Sequence, residues 1–138
     1  FSSLGAKNYT GNDIAEISII NLQKKYPQYN FIHGDISEVR LPENTFDLGV
    51  MIDVTQHITD DERFNKAMDN LWRSLKSGAK LIITMWDPAK NVYLANKLRL
   101  NRIEKPRGIE WYQKVYGNSE VLTKVDFNDK YFVIFRKP

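Results

Sequence analysis

The clearest pattern of hydrophobic and polar positions lies between residues 59 and 78. Apolar side chains recur there at helical spacing and share one face of an amphipathic helix: Phe64, Ala67, Met68, Leu71, Trp72 and Leu75. Thr59 and Glu62 have the spacing of a capping box, which predicts the start of the helix. Gly78 is predicted to end it in a left-handed backbone conformation.

Apolar runs on both sides of this helix predict strands. Phe46–Asp53 and Ala79–Trp86 are nearly continuous runs, as is typical of strands that are covered on both faces. Earlier in the chain, Asn8–Asp13 and Tyr29–Ile36 predict two more strands, and Ile14–Pro27 predicts a helix between them. Strands and helices therefore alternate from residue 8 to residue 86.

The end of the chain has a different pattern. Glu120–Phe127 and Tyr131–Lys137 predict two strands joined by a short turn, which is an antiparallel hairpin. The segment 91–118 is polar, aromatic and basic, and it predicts one or two helices. Alternating strands and helices followed by a hairpin predict an α/β domain of three layers with a mostly parallel sheet.

Composition narrows the class of protein. The 138 residues fit one domain, and 42% hydrophobic content is enough for a core. The sequence has no cysteine, which excludes disulfides and thiolate chemistry and is compatible with a reducing compartment, so we expect a cytoplasmic protein. Its apolar runs are too short to span a bilayer, and we expect no membrane partner.

The charge and the histidines of the chain indicate neither a nucleic-acid partner nor a metal site. The net charge of +3 is mildly basic, with one local excess at Lys97–Arg107. A solvated helix face explains this excess better than a polyanion-binding surface, so a nucleic-acid partner is not expected. The two histidines, His33 and His57, stand apart, and no metal site is predicted.

Three predicted strands end in acids: Asp13, Asp35 and Asp53. Open α/β sheets bind ligands beyond the carboxyl ends of their strands, where an acid commonly binds a ribose. A second acid could meet an exocyclic amine, and the two together fit an adenosine. Two alternatives remain open, because Asp13 could merely cap the next helix and Asp35 could merely close a turn.

His57 follows Asp53 closely and is a second candidate for chemistry. It could act as a base, or it could form a hydrogen-bonded pair with Asp53 that supports the loop. Trp86 ends the next strand and is a candidate substrate contact.

These features together resemble a known family. The segments "YTGNDIAE", "FIHGDISEVRLPENTFDLGVMIDVTQHITDDERF" and "NLWRSLKSGAKLIITMW", with the terminal hairpin, are similar to class I S-adenosylmethionine-dependent methyltransferases. The resemblance extends from about Ala6 to Lys137. It implies a Rossmann-like methyltransferase fold, S-adenosyl-L-methionine as cofactor, and methyl transfer to an oxygen or nitrogen of a small molecule.

The resemblance also implies roles for individual residues. Asp13 would bind the ribose hydroxyls and Ile14 would pack on the adenine. Asp35 would accept a hydrogen bond from the adenine amino group, and Ile36 would contribute a backbone amide. The methionine end of the cofactor would be lined by Ile52 and Asp53.

The remaining implied roles concern the methyl acceptor. His57 matches a histidine that many family members carry after the fourth strand, and His57 or Asp53 would serve as catalytic base. Residues 91–118 would form a lid over the substrate, which would contact Trp86, Trp111 and Tyr112.

The sequence departs from the family at its start. "FSSLGAKNYTGND" reads as the end of a first helix followed by the second strand, and no glycine-rich turn of the family's first strand is present. Without that central strand, its two neighbours would expose unpaired backbone groups. We therefore expect residues 1–138 to be the C-terminal part of one longer methyltransferase-like domain, unless Asn8–Asp13 pairs directly with Leu48–Asp53.

Two other functions compete with methyl transfer. A nicotinamide dehydrogenase could use the same architecture, but the terminal hairpin argues against it. A non-catalytic module that binds a protein or RNA partner is favoured by Lys97–Arg107 and by the missing glycine-rich turn. The oligomeric state is left open.

Overall fold

A computed structural model describes residues 8–86, 104–127 and 130–138, apart from the side chain of Phe127. The chain forms two compact units, divided between Arg40 and Leu41. Each unit has its own sheet. No helix in the described ranges is long and apolar enough to cross a bilayer.

The first unit is a strand, a helix and a second strand. They are β1 (Thr10–Asp13), α1 (Glu16–Lys25) and β2 (Asn30–His33). The two strands run parallel, with Asp13 opposite His33 at their carboxyl ends. This β-α-β arrangement confirms the strands and the helix that were predicted between residues 8 and 36.

The second unit carries a four-stranded sheet. Its elements are β3 (Phe46–Met51), a short 3₁₀ turn (Thr55–His57), α2 (Asp61–Ser74), β4 (Leu75–Trp86), α3 (Ile109–Tyr116), β5 (Glu120–Phe127) and β6 (Lys130–Arg136). The strand order is β3-β4-β6-β5. β3 and β4 are parallel, whereas β6 is antiparallel to both of its neighbours. The sheet is therefore mixed, and the predicted C-terminal antiparallel hairpin is confirmed.

The apolar face of α2 forms the core of the second unit together with α3 and the central strands. Trp72 stacks on Tyr116 with ring centroids 4.4 Å apart, and Phe64 meets Tyr112 edge to face at 5.3 Å. Alternating side chains of β4 are buried on the same side: Leu81, Ile83 and Met85. Helical periodicity from Phe64 to Trp72 thus predicted the buried face correctly.

The predicted start of α2 is wrong by one residue. Asp60, and not Thr59, is the N-cap, and its carboxylate accepts a hydrogen bond of 2.8 Å from the backbone N–H of Arg63. Asp is as good a cap as Thr, so the local hydrogen bond between Asp60 and Arg63 sets the start of the helix.

The predicted end of α2 is also wrong. The helix ends at Ser74, and Gly78, with a φ of +78°, lies inside β4 where its register with β3 shifts. The last carbonyl groups of α2 have partners from elsewhere in the chain. Asn44 N–H donates to Arg73, and the Lys137 ammonium donates to Trp72 at 2.9 Å. The helix therefore needs no glycine cap.

β3 lies at the edge of the four-stranded sheet. Gly49 and Met51 are buried on one side of it, whereas Leu48 and Val50 are exposed on the other. In the described chain this strand is therefore covered on one face, and the expectation of cover on both faces is wrong. Among those residues β1 pairs with β2 and β3 pairs with β4. That the chain is part of a longer domain stays a prediction.

Candidate functional site

Asp13 is the last residue of β1. Its Oδ1 accepts a 2.8 Å hydrogen bond from the backbone N–H of Ala15, which is itself the N-cap of α1 and has no side-chain cap. This contact stabilises the start of α1, in keeping with the capping alternative, and the binding of a ribose by Asp13 stays a prediction. The second carboxylate oxygen of Asp13 has no hydrogen-bond partner in the described part of the first unit. Ile14, the next residue, is 66% exposed.

Asp35 follows β2 and begins a turn. Its Oδ1 accepts hydrogen bonds from the backbone N–H of Ser37 at 2.9 Å and from the Ser37 hydroxyl at 2.8 Å. Its backbone carbonyl accepts from Glu38 and Val39. Asp35 thus does close a turn, as one alternative required, and Ile36 lies half-buried within that turn. The predicted contacts of Asp35 and Ile36 with an adenine stay predictions.

Asn12 and Gly34 fix the end of the first sheet. The Asn12 amide donates to the carbonyl groups of Ile32 and Gly34 at 3.0 and 2.9 Å, tying β1 to the turn beyond β2. Gly34 has a φ of +139°, and an added Cβ would lie 2.6 Å from Cγ1 of Val39. This corner therefore requires glycine. Sequence reasoning missed Asn12, although its position beside Asp13 at a strand end was a usable signal.

Asp53 lies two residues beyond β3 in a left-handed conformation, with a φ of +53°. Its backbone N–H donates to the Thr84 hydroxyl at 2.7 Å, and its carboxylate accepts from the Lys130 ammonium, also at 2.7 Å. The Lys130 contact holds the pKa of Asp53 below its usual range, against the opposing effect of partial burial. Asp53 is therefore ionised at neutral pH.

Trp86 ends β4 and lies opposite Lys130 in the antiparallel pairing of β4 with β6. The Lys130 ammonium is 6.0 Å from the centre of the indole ring. The indole N–H is buried and has no hydrogen-bond partner of ordinary geometry within the described ranges. The structure thus brings Asp53 and Trp86 together around Lys130, a residue that sequence reasoning missed. Its place at the start of the last strand was the available signal.

A chain of buried hydroxyl groups lies behind Asp53. The Tyr112 hydroxyl donates to Thr55 Oγ1 at 2.9 Å, and the Thr55 hydroxyl donates to the Thr84 carbonyl at 3.2 Å. Burial raises the pKa of Tyr112 to about 12. Tyr112 is 1% exposed and lies in the core of the second unit. Its predicted contact with a substrate stays a prediction, and it would require the ring to leave this core.

His57 ends the 3₁₀ turn and is exposed. Its Nε2 lies 3.3 Å from Nε2 of Gln56, and its Nδ1 lies 3.8 Å from Oε1 of Glu104. Asp53 and His57 thus have different partners, so the alternative of a direct pair between them is not the arrangement in the described residues. Glu104 is a third residue that sequence reasoning missed, after Asn12 and Lys130.

The segment 104–108 is held against residues 56–61. The backbone N–H of Lys105 donates to the Gln56 carbonyl at 2.7 Å. The Arg107 guanidinium, 1% exposed, donates to the Ile58 carbonyl at 2.7 Å and to the Asp61 carboxylate at 2.8 Å. Hydrogen bonds from Lys105 and Arg107 lower the pKa of Asp61. These contacts fix residues 104–108 within the predicted lid 91–118, whose residues 91–103 lie outside the described ranges.

Trp111 lies on α3, next to this anchored segment. Its ring meets Phe64 edge to face at 6.3 Å, and the Arg107 guanidinium lies 5.5 Å from the ring centre. Trp111 is half-buried, so part of the indole is accessible to a ligand. Within the described ranges, no group of three acidic, histidine or cysteine side chains could hold a metal ion.

Residues 1–83 match the sequence profile of the methyltransferase domain family. This match covers more than half of the chain. The chain belongs to this family. The matched segment contains Asp13, Asp35, Asp53 and His57, so four strand-end and loop positions predicted to carry function lie within the family's domain.

Known proteins resemble the chain in sequence and in fold. A probable S-adenosylmethionine-dependent methyltransferase of Mycolicibacterium smegmatis is 25% identical over 79 residues, which are 57% of this chain and 30% of that protein. The PH0226 protein of Pyrococcus horikoshii superposes with a TM-score of 0.77 at 19% identity, over 99% of this chain and 74% of that one.

A third relative was solved with a ligand. The N-methyltransferase NodS of Bradyrhizobium japonicum, crystallised with S-adenosyl-L-homocysteine, has a TM-score of 0.75 at 18% identity, over 96% of this chain and 67% of that one. These likenesses confirm the predicted α/β, Rossmann-like methyltransferase fold. The chain matches less than a third of the length of its curated relative.

Proposed function

We propose that this chain provides S-adenosyl-L-methionine binding and methyl transfer to an oxygen or nitrogen of a small molecule. The observation that carries this proposal is the family match over residues 1–83, which includes every predicted cofactor-binding residue. The curated relative is named a probable S-adenosylmethionine-dependent methyltransferase, and NodS was crystallised with S-adenosyl-L-homocysteine.

The chemistry of the first unit fits the adenosine half of this cofactor. Asp13 keeps one carboxylate oxygen available for ribose hydroxyls, because Ala15 occupies the other. Ile14 offers an exposed apolar side chain against which an adenine could pack. Asp35 and Ile36, in the turn after β2, would bind the edge of the base.

Ile52 and Asp53 would line the methionine end of the cofactor. Ile52 is exposed, and Asp53 is ionised and held by Thr84 and Lys130. When bound, the cofactor supplies a methyl group activated on a sulfonium. The chain's own residues supply binding and orientation.

A proton must leave the methyl acceptor, and His57 is better suited than Asp53 to take it. The Asp53 carboxylate is paired with Lys130 and has a lowered pKa, which makes it a weak base. His57 is exposed, and the unprotonated nitrogen of a neutral imidazole is a proton acceptor. We therefore assign His57 as base and Asp53 to binding.

The acceptor is proposed to be a small molecule, contacted by Trp86 and Trp111. Both indoles are half-buried, and aromatic faces of this kind suit an organic or sugar-like ligand. NodS is named an N-methyltransferase, which supports a nitrogen acceptor as one of the two options. An oxygen acceptor is equally compatible with His57 as base.

The alternative is a non-catalytic module that binds RNA or a protein. The described part of the basic segment does not favour RNA, because Lys105 and Arg107 are both paired with Asp61. The positive charge of these two cations is therefore partly offset by the Asp61 carboxylate within the chain.

Calorimetric titration of the full chain with S-adenosyl-L-homocysteine tests the proposal. We expect binding at one site, weakened roughly 10- to 100-fold in Asp13→Asn through loss of a charge-assisted hydrogen bond. Asp47→Asn is the matched control, since Asp47 is an exposed carboxylate paired with Lys76. Tighter binding of a nicotinamide dinucleotide, or salt-dependent RNA binding without cofactor binding, would contradict it.

A further inference from the structure

We propose that Glu104 is a positioning residue that keeps the proton of neutral His57 on Nδ1 and so leaves Nε2 as the proton acceptor. This inference rests on the proposed function, in which His57 is the base. It adds a residue that lies outside the matched segment 1–83 and outside the roles that the resemblance implied.

The Gln56 contact decides the tautomer of His57, and the position of Glu104 is consistent with it. The Gln56 amide nitrogen, 3.3 Å from Nε2, can only donate a hydrogen bond, so Nε2 must accept it. Nδ1 then carries the hydrogen, and that nitrogen faces the Glu104 carboxylate at 3.8 Å. The partner of one ring nitrogen thus sets the state of the other.

Glu104 is held in place by its neighbours. Directly after it, the backbone N–H of Lys105 donates to the carbonyl of Gln56, the residue before His57. Arg107 ties the same segment to the Ile58 carbonyl and to Asp61. The Glu104 side chain is mostly buried. Hydrogen bonds to the backbone carbonyls of Gln56 and Ile58, on either side of His57, therefore fix the approach of Glu104.

Glu104 is the charged group that faces the imidazole, whereas the nearby Lys105 and Arg107 cations share the single carboxylate of Asp61. A carboxylate on Nδ1–H stabilises the imidazolium that forms when Nε2 gains a proton. Nε2 holds the Gln56 N–H in this structure, so it takes the acceptor's proton once the acceptor displaces that amide.

Gln56 supplies a separate sign that a ligand binds beside Nε2. Gln56 is 3% exposed, and its side-chain amide oxygen is buried without a hydrogen-bond partner in the described ranges. Buried acceptors normally have a partner. An acceptor molecule bearing an N–H or O–H could donate to this oxygen, and would then lie next to the His57 ring, because the amide nitrogen of Gln56 contacts Nε2.

The proton and electron count closes with these groups. The acceptor's N–H or O–H bond breaks and its proton moves to Nε2 of His57. The acceptor's electron pair forms the new bond to the methyl carbon as the carbon–sulfur bond breaks, with its electrons left on sulfur. The Nδ1–H stays in place and faces Glu104 throughout.

Imidazole nitrogen NMR of the full chain tests the inference without any substrate. The chain has only two histidines, so a His33→Gln variant leaves the His57 signals alone in the spectrum. We expect neutral His57 to carry its hydrogen on Nδ1, and Glu104→Ala to shift the population toward the Nε2–H form. Glu110→Ala, an exposed acid on α3, is the matched control and should leave the tautomer unchanged.

The outcomes separate this inference from the proposed function. An Nε2–H tautomer in the parent chain, or a tautomer that Glu104→Ala leaves unchanged, would overturn the role of Glu104. An Nε2–H tautomer in the parent spectrum overturns the role of Glu104 even where a variant does not fold. Titration with S-adenosyl-L-homocysteine on the same samples should give equal affinity in the parent chain and in Glu104→Ala. Failure of both to bind would reject the proposed function and leave the tautomer result standing.

Discussion

Lys130 Nζ lies 2.7 Å from Asp53 Oδ1 and joins the start of β6 to the loop that follows β3. The lysine side chain is 19% exposed, whereas the aspartate is about half exposed. A buried ammonium needs a nearby negative charge, and Asp53 provides it. The hairpin and the loop that follows β3 are therefore electrostatically linked.

Replacing Lys130 by Met should raise the pKa of Asp53 toward its ordinary value, because the strongest cause of its lowering is removed. A carboxyl group with a lowered folded-state pKa adds stability above its ordinary pKa and loses it as the pH falls through the folded pKa. Lys130→Met should therefore destabilise the chain at neutral pH by less than about 1 kcal/mol, and not at all in strong acid. Carboxyl-carbon NMR titration and denaturation at several pH values measure both effects.

Lys76→Met is the control for this change. Lys76 pairs with Asp47 at 2.8 Å, but both side chains are well exposed. The pKa of Asp53 should be the same in this variant as in the parent chain. An equal rise in both variants would show that net charge, and not the Lys130 contact, sets the pKa.

Arg107→Met should destabilise the chain by roughly 2–4 kcal/mol, because it leaves the Ile58 carbonyl and the Asp61 carboxylate without their buried donor. Arg107→Lys should recover little, since an ammonium cannot reproduce the several directions of a guanidinium. Urea denaturation gives both values. Arg136→Met removes an exposed pair with Glu120 and should cost less than about 1 kcal/mol. Similar losses at the two arginines would contradict the role given to Arg107.

Tyr112→Phe should cost about 1 kcal/mol at neutral pH through loss of the hydrogen bond to Thr55. It should also change the alkaline behaviour. Tyr112 has a folded-state pKa of about 12 against an ordinary value of 10.0, so its contribution to stability is present below pH 10.0 and is lost as the pH rises toward 12. Unfolding free energies measured across that range should fall less steeply in the variant.

Tyr116→Phe is the comparison for this effect at neutral pH. The Tyr116 hydroxyl donates to the sulfur of Met68 at 3.2 Å, and a thioether is a weak acceptor. The loss should therefore be smaller than for Tyr112→Phe. A larger loss at Tyr116 would mean that the hydroxyl chain through Thr55 contributes little.

Gly34→Ala should destabilise the first unit by roughly 1–3 kcal/mol, because the added methyl meets Val39 and the backbone is in a region that alanine disfavours. Gly78→Ala is the matched control, with a φ of +78° and open space around the added carbon. It carries backbone strain without the clash, so its cost should be smaller. Denaturation followed by tryptophan fluorescence reports the second unit, which holds all three tryptophans, and the NMR signals of Tyr9 report the first.

The spacing of apolar residues and the order of the predicted elements were sufficient to predict much of the fold. The buried face of α2 followed from the spacing of Phe64, Met68 and Trp72, and the hairpin followed from two apolar runs around a turn. The start of α2 was missed by one residue because Thr59 and Asp60 are both good caps and Asp60 is the one used. Its end was missed because Asn44 and Lys137, distant in the sequence, donate to its last carbonyl groups.

The candidate site divides in the same way. The strand-end positions of Asp13, Asp35 and Asp53 could be predicted from the pattern, and their roles stay predictions. The contact of Lys130 with Asp53 could not, because a pairing between residues 77 positions apart depends on the sheet register. The contact of Glu104 with His57 could not either, because no local pattern relates a loop residue to a residue so distant in the chain. The sequence also gave no sign that Tyr112 would be buried, since aromatic residues are common both in cores and around ligands.

The half-covered edge strand β3 has a consequence for the handling of the chain. Leu48 and Val50 present an apolar row beside a line of backbone groups that, in the described sheet, pair on one side. A surface of this kind is a template for intermolecular β-pairing. We expect preparations to be limited by aggregation that accelerates with protein concentration, and a charged substitution such as Val50→Lys to extend the time for which the chain stays in solution.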